Sequence, residues 1–417
     1  MTNDATGGRI PAGRDGTGAF RGDVAGTLIR KIDLCRGLFA FLVVAAHSYD
    51  VCGVIHPEAI KALPAAVRLV LYATVQCGYY WVMGFFVLSG YCIQLSVGRQ
   101  VESGRFSPGV YLAARLSRIM PLYYTGLVFA MAVEALVAPI RVPYYPDGLN
   151  PVGWLSQLVF AQRFFQTFGS FAPSWTITYE LFYYLFFGLL AAVSARFRCR
   201  PSWYGMAICV TLGGAMQWRY LHGGKDALTL QSGLLFGLGT IWFMGALIAV
   251  HGPSLVRHRW ARVVAMSWPL LFVSAVVLRG DGRCPEQGIY LLLGVAFTLM
   301  ILRFQSVDAT RAGTTVPAPR WIAATARVVG QASYPTYLFH GPVLILISSA
   351  VARWGLIVDW RASWLVMVAS GIGFGLFLGS NVERPIMHWR AGYLARLKES
   401  SVARGEGLSA TLLEIQR

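Results

Sequence analysis

Two residues in one apolar stretch carry the first chemical signal. In KIDLCRGLFAFLVVAAHSYD, residues 31–50, Arg36 and His47 are separated by ten residues. Eleven helical steps turn through about 1100°, roughly 20° past three full turns, and rise about 16 Å. Arg36, Ala40, Val43 and His47 therefore share one helix face, and Asp33 lies one turn before Arg36. With Arg36 at the mouth of a membrane span, His47 stands near the bilayer midplane. Ionisable groups at that depth are costly and mark functional sites.

Other segments add groups of complementary chemistry. In YLAARLSRIMPLYY, Arg115 and Arg118 are three apart and point one way. Their planar guanidinium forks suit phosphate, although the same residues also fit the basic bias of cytoplasmic loops. In PSWTITYELFYYL, Glu180 lies about 8 Å along a helix from Trp175, in the outer half of the membrane, where His47 is a plausible partner. In SYPTYLFHGPV, His340 reaches a depth like that of His47. Gly84, Ser89 and Gly90 in GYYWVMGFFVLSG permit close helix approach, and Glu383 and Arg384 in NVERPIMHW read as a structural cap.

These residues need helices to hold them. The chain has 417 residues, of which 56% are apolar and only 13% charged. Soluble domains carry about 25% charged residues, so the composition excludes a soluble enzyme, a disordered chain and a collagen-like fibre. A span needs about 20 mostly apolar residues. Ten candidates follow: 36–55, 79–97, 111–138, 174–195, 202–221, 229–250, 260–279, 287–304, 332–352 and 362–382. The expected fold is all-α, a polytopic membrane bundle of about ten helices in the cytoplasmic membrane. The net charge of +17 reflects the Lys and Arg that cytoplasmic loops collect rather than nucleic acid. With both termini cytoplasmic, the inner segments hold 26 of the 36 Lys and Arg and the outer loops hold 10.

Residues 1–31 have no apolar run and read as a disordered cytosolic tail without a signal peptide. Residues 32–385 form the transmembrane domain and 386–417 a cytosolic tail. The outer loop 139–173 holds four prolines, and its run PVGWLSQLVFAQRFF suggests a short helix lying in the interface or dipping inward. The inner loop 305–331 is polar and reads as flexible. Seven scattered cysteines without a CxxC pair suggest buried thiols, with no metal site and no disulfide framework.

In sequence order, IDLCRG…H, FFVLSGY, YLAARLSRIMPLYY, WTITYE, SYPTYLFH and VERP resemble the acyltransferase 3 family of integral membrane acyltransferases. The resemblance implies transfer of an acyl group, usually acetyl from acetyl-CoA, to a hydroxyl of a sugar, exopolysaccharide, lipopolysaccharide or glycosylated metabolite. It also implies that His47 matches the family's essential first-span histidine, Arg36 its basic partner, Arg115 and Arg118 its basic pair, and Glu180 the Glu of its span-four motif. Thr176 stands where many relatives have Ser.

Thioester acyl transfer needs a base, and neutral imidazole at His47 suits it. Glu180 or Asp50 could orient that imidazole, and Arg36, Arg115 and Arg118 could hold the phosphates of acyl-CoA. Tyr79, Tyr80, Tyr183, Tyr184 and Trp175 could stack on a sugar, with His340 and Asp50 as further acceptor contacts. The acceptor could enter from either side, and both an acyl-His intermediate and direct attack fit. The reading from another class is a transporter or flippase for a lipid-linked glycan, although the inverted repeats common in transporters are not seen.

Overall fold

A computed structural model describes residues 16–75, 78–146, 148–197, 200–281, 284–310, 319–356 and 359–403. The first helix, α1 (Gly16–Ile55), carries the Arg36–His47 face on an unbroken backbone. It begins inside the segment expected to be disordered. Once the apolar span nucleates the helix, each added residue gains one hydrogen bond, so residues 16–31 continue it upstream. Residues 1–15 of the expected tail lie outside the described residues.

Besides four shorter ones, ten further helices of at least 14 residues follow: α2 (Gly78–Glu102), α3 (Pro108–Val137), α4 (Trp175–Phe197), α5 (Pro201–His222), α6 (Ala227–Leu255), α7 (Trp268–Asp281), α8 (Glu286–Thr310), α9 (Arg320–Trp354), α10 (Trp360–Leu378) and α11 (Arg384–Ala403). Among the described residues the structure is helical without strands, and nine helical stretches are long and apolar enough to cross a membrane. The expected span 202–221 forms a helix, α5, but is not one of the nine. Gln217, Arg219 and His222 near its end lower its hydropathy. The expected span 260–279 is interrupted, running as a short helix (Arg259–Val264), a tight turn (Ala265–Ser267) and then α7. Helices α8 and α9 take both ends of the expected polar loop 305–331, whose residues 311–318 lie outside the described residues.

Glycine governs how closely these helices pack. Helices α2 and α6 meet backbone to backbone. A Cβ on Gly90 would strike the Trp242 carbonyl, and one on Gly245 would strike the Val87 carbonyl. Helix α1 lies along α9 by the same means, with Gly37 against Val329 and Gly330 against Asp33. The Arg36 end of α1 is tied to α8 by an ion pair between Lys31 and Asp308 at 2.5 Å.

The loop between α3 and α4 folds back into the bundle. Asn150 caps a short helix (Pro151–Leu158) by accepting from the Val152 and Gly153 amides. Gln157, Gln162, Ser170 and Ser174 are buried, so the loop dips inward as its sequence allowed. Buried polar groups need partners. Tyr123 donates to Gln157, Gln162 donates to the Ser174 carbonyl, and buried Glu134 receives Arg141 at 2.6 Å and the Ser170 amide at 2.5 Å. Of the cysteines, Cys35, Cys52, Cys92, Cys209 and Cys284 are free thiols, and Cys77 and Cys199 lie outside the described residues.

Because a backbone carbonyl cannot swing aside as a side chain can, Gly245→Ala should destabilise the bundle by about 1–3 kcal/mol. Gly214→Ala on α5 meets open space and should be neutral. Thermal unfolding of the detergent-purified variants, read side by side, checks this contrast.

Candidate active site

The expected helix face is present, and two chemically distinct regions lie along it. At the Arg36 end, α1, α2, α3, α4 and α9 enclose a cavity of about 100 Å³. Arg36, Arg115 and Arg118 line it together with Ser89, Glu180 and Tyr184. Arg115 donates to Ser96 at 3.0 Å and lies 5.4 Å over the Tyr111 ring. Arg36 and Arg118 make no hydrogen bond, and none of the three arginines forms an ion pair with a carboxylate, among the described residues. Asp33 and buried Glu383 lie within electrostatic range of Arg36 and Arg118. Glu383 closes a five-residue π-turn (Gly379–Glu383) between α10 and α11, so it faces the arginines while Arg384 is exposed.

Glu180 belongs to this cavity and not to His47. Its carboxylate accepts from Ser89 Oγ at 3.1 Å and from the Tyr184 hydroxyl one turn on. Ser89 in turn accepts from Trp242 Nε1 at 3.2 Å. The expected pairing of Glu180 with His47 is therefore corrected. It measured depth as though α4 began at the membrane surface. The inward-folded loop starts the helix deeper, which carries Glu180 toward the Arg36 end.

The cavity stops about one turn short of the histidines on both flanking helices. Its last lining residues there are Val82 on α2 and Tyr337 on α9, and the rings of Phe85 and Tyr337 meet edge-on at 5.8 Å. Beyond them His47 and His340 form a direct pair, with His340 Nε2 3.4 Å from His47 Nδ1 and ring centroids 5.0 Å apart. His340 Nδ1 lies 2.6 Å from the Tyr337 carbonyl oxygen. A carbonyl only accepts, so Nδ1 of neutral His340 holds the proton and Nε2 presents a lone pair to His47. His47 Nδ1 therefore sits between that lone pair and the Tyr145 hydroxyl oxygen at 2.9 Å, and the tautomer that carries its proton on Nδ1 leaves Nε2 as a free lone pair. The Nε2 side faces Gly78, where an added Cβ would stand 3.7 Å away.

His340 was expected to contact substrate. It is 0% exposed, and its hydrogen bonds go to His47 and to the Tyr337 carbonyl. Asp50 was expected to be able to orient His47. It accepts from Tyr144 at 3.3 Å, because a short carboxylate one turn beyond does not reach back to the imidazole. The polar contact that sequence reasoning missed is Tyr145, whose hydroxyl lies 2.9 Å from His47 Nδ1. Its signal was present as the Tyr144–Tyr145 pair set between Pro143 and Pro146.

The aromatic candidates divide. Tyr79, 45% exposed, packs against Trp175 at 6.0 Å at the His47 end, and Arg163 lies 5.0 Å over the Trp175 ring. Tyr183 is fully buried and donates to the Leu235 carbonyl at 2.7 Å, and Tyr80 is buried against Phe272. These two belong to the core and have no open face for a sugar.

Comparison with known proteins bears on this arrangement. The model of the acyltransferase 3 family, described as an acyltransferase domain, matches residues 29–379, which is most of the chain. A relative from Rhizobium radiobacter, "Protein 2 in picA locus", is 31% identical over 77 residues, covering 18% of this chain and 40% of that protein. The match thus spans less than half of that relative. No solved structure matches the chain. The matched region contains Arg36, His47, Arg115, Arg118, Glu180 and His340, and the chain belongs to the acyltransferase 3 family.

Proposed function

We propose that this membrane acyltransferase moves an acetyl or other short acyl group from acyl-CoA to a hydroxyl of a sugar or glycan, with His47 as general base. One observation carries the reading. Arg36, which shares its cavity with Arg115 and Arg118 and has no carboxylate ion pair among the described residues, lies on one helix face with His47, about 16 Å away along the axis. The donor's phosphates bind Arg36, Arg115 and Arg118, and its pantetheine arm passes Phe85 and Tyr337 toward His47. The acceptor hydroxyl attacks the thioester carbonyl while His47 Nε2 takes its proton. The C–O ester bond forms, the C–S bond breaks, and the thiolate of CoA leaves and is protonated.

His340 and Tyr145, both at Nδ1, hold the His47 ring and are positioning residues. Tyr79 and Trp175, at the His47 end, supply faces on which a sugar ring stacks. With α5 as a tenth crossing, the charge distribution favours a cytosolic Arg36 end, with both chain ends in the cytosol of a cell whose cytoplasmic membrane holds the protein. The acceptor then approaches from the opposite side.

With radiolabelled acetyl-CoA and host glycan extract, His47→Ala should lose about 10²–10⁴ in transfer rate while its membrane level is unchanged. His340→Gln should lose less, since it disturbs only the orientation of the base. Full activity of His47→Ala would sink the assignment. Arg118→Gln should raise the donor KM by about tenfold or more, the value of a charged hydrogen bond, with a smaller change in kcat. Initial rates over a range of acetyl-CoA concentrations separate the two effects.

A further inference from the structure

The C-terminal helix contributes a cation that the donor site does not yet include. Helix α11 leaves α10 through the π-turn at Gly379–Glu383 and packs on α3. From it Arg390 reaches across to α3, where its Nε and Nη2 donate to the Ala114 carbonyl at 3.2 and 2.8 Å. Ala114 immediately precedes Arg115, so the Arg390 guanidinium is fastened beside the basic pair and is within electrostatic range of Arg115 and Arg118. Its Nη1 has no hydrogen bond, and Arg390 forms no ion pair, among the described residues. Four guanidinium groups thus gather at this end, three lining the cavity and Arg390 beside them on α3; none has a carboxylate in hydrogen-bond contact among the described residues, and Asp33, Glu180 and Glu383 offset part of their charge from a distance. Such a concentration of like charge is a site for an anion with several charges.

Depth along α3 orders three of them. Arg118 lies on the side of Tyr337 and His47, while Arg115 and Ala114 lie nearer the start of the helix at Pro108. In a CoA molecule whose thioester points at His47, the pyrophosphate comes next. The ribose 3′-phosphate trails at the far end. We propose that Arg390 is a further phosphate-binding residue of the donor site and reads the ribose 3′-phosphate of CoA, an inference that rests on the acyl-CoA reading above.

The test is binding of CoA and 3′-dephospho-CoA to the full-length protein in lipid nanodiscs. The wild type should bind CoA about tenfold tighter than 3′-dephospho-CoA. Arg390→Gln should erase that preference, weakening CoA about tenfold while 3′-dephospho-CoA binds as before, which also shows that the variant is folded. Arg390→Lys should restore part of the difference. Equal weakening of both ligands in Arg390→Gln, or no weakening of either, would overturn the inference, as would a wild type that binds both equally. A wild type that binds neither would overturn the acyl-CoA reading itself, and the role of Arg390 with it.

Discussion

The contact between α1 and α9 is the constraint on which the site depends. Gly37 and Gly330 let the two backbones approach, and the approach fixes their register. At one end of that seam Arg36 faces the cavity; at the other His47 meets His340. A shift of either helix by one residue, about 1.5 Å and 100°, would separate the imidazoles and turn Arg36 out of the cavity. Helix α9 also supplies the Tyr337 carbonyl that holds His340, so one element sets both the position of His47 and the orientation of the imidazole it meets.

Electrostatics divides the two ends of the seam. Moving an ion from water into an apolar bundle is costly unless a partner compensates. Glu134 and Asp308 follow that rule, each paired with a cation and each stabilising an element. Glu180 is held by hydroxyl donors instead. The arginines of the cavity lack such closure among the described residues, and under the proposed function the phosphates of the donor supply the missing anions. The imidazole pair needs no counterion when neutral. A buried base can therefore stand beyond Tyr337, away from the cationic end.

How much of this was legible in the sequence depends on how many elements each claim needs. The alignment of Arg36 with His47 involves one helix, and 3.6 residues per turn suffices. The all-helical character and nine of the ten expected spans follow from apolar run lengths in the same way. Polar residues near the end of α5 and the turn at Ala265–Ser267 complicate two spans that hydropathy alone had made uniform. Claims needing two elements fared worse. Glu180 was placed by depth from the start of α4, and the inward fold of the preceding loop moved that start. Tyr145 reaches His47 from a loop whose path depends on Glu134, Arg141 and Ser170, a long-range set that no periodicity reports. Tyr183 looked available because an aromatic on a helix has no label for the side it faces.

The central claim is that one donor molecule spans the seam, phosphates on the arginines and thioester at His47. Cryo-electron microscopy of the protein with a non-transferable acyl-CoA analogue tests it most directly. The account predicts phosphate density against Arg36, Arg115 and Arg118, with the sulfur past Tyr337 beside His47 Nε2. Phosphate density away from these arginines, or an acyl end that stops on the Arg36 side of Tyr337, would contradict it.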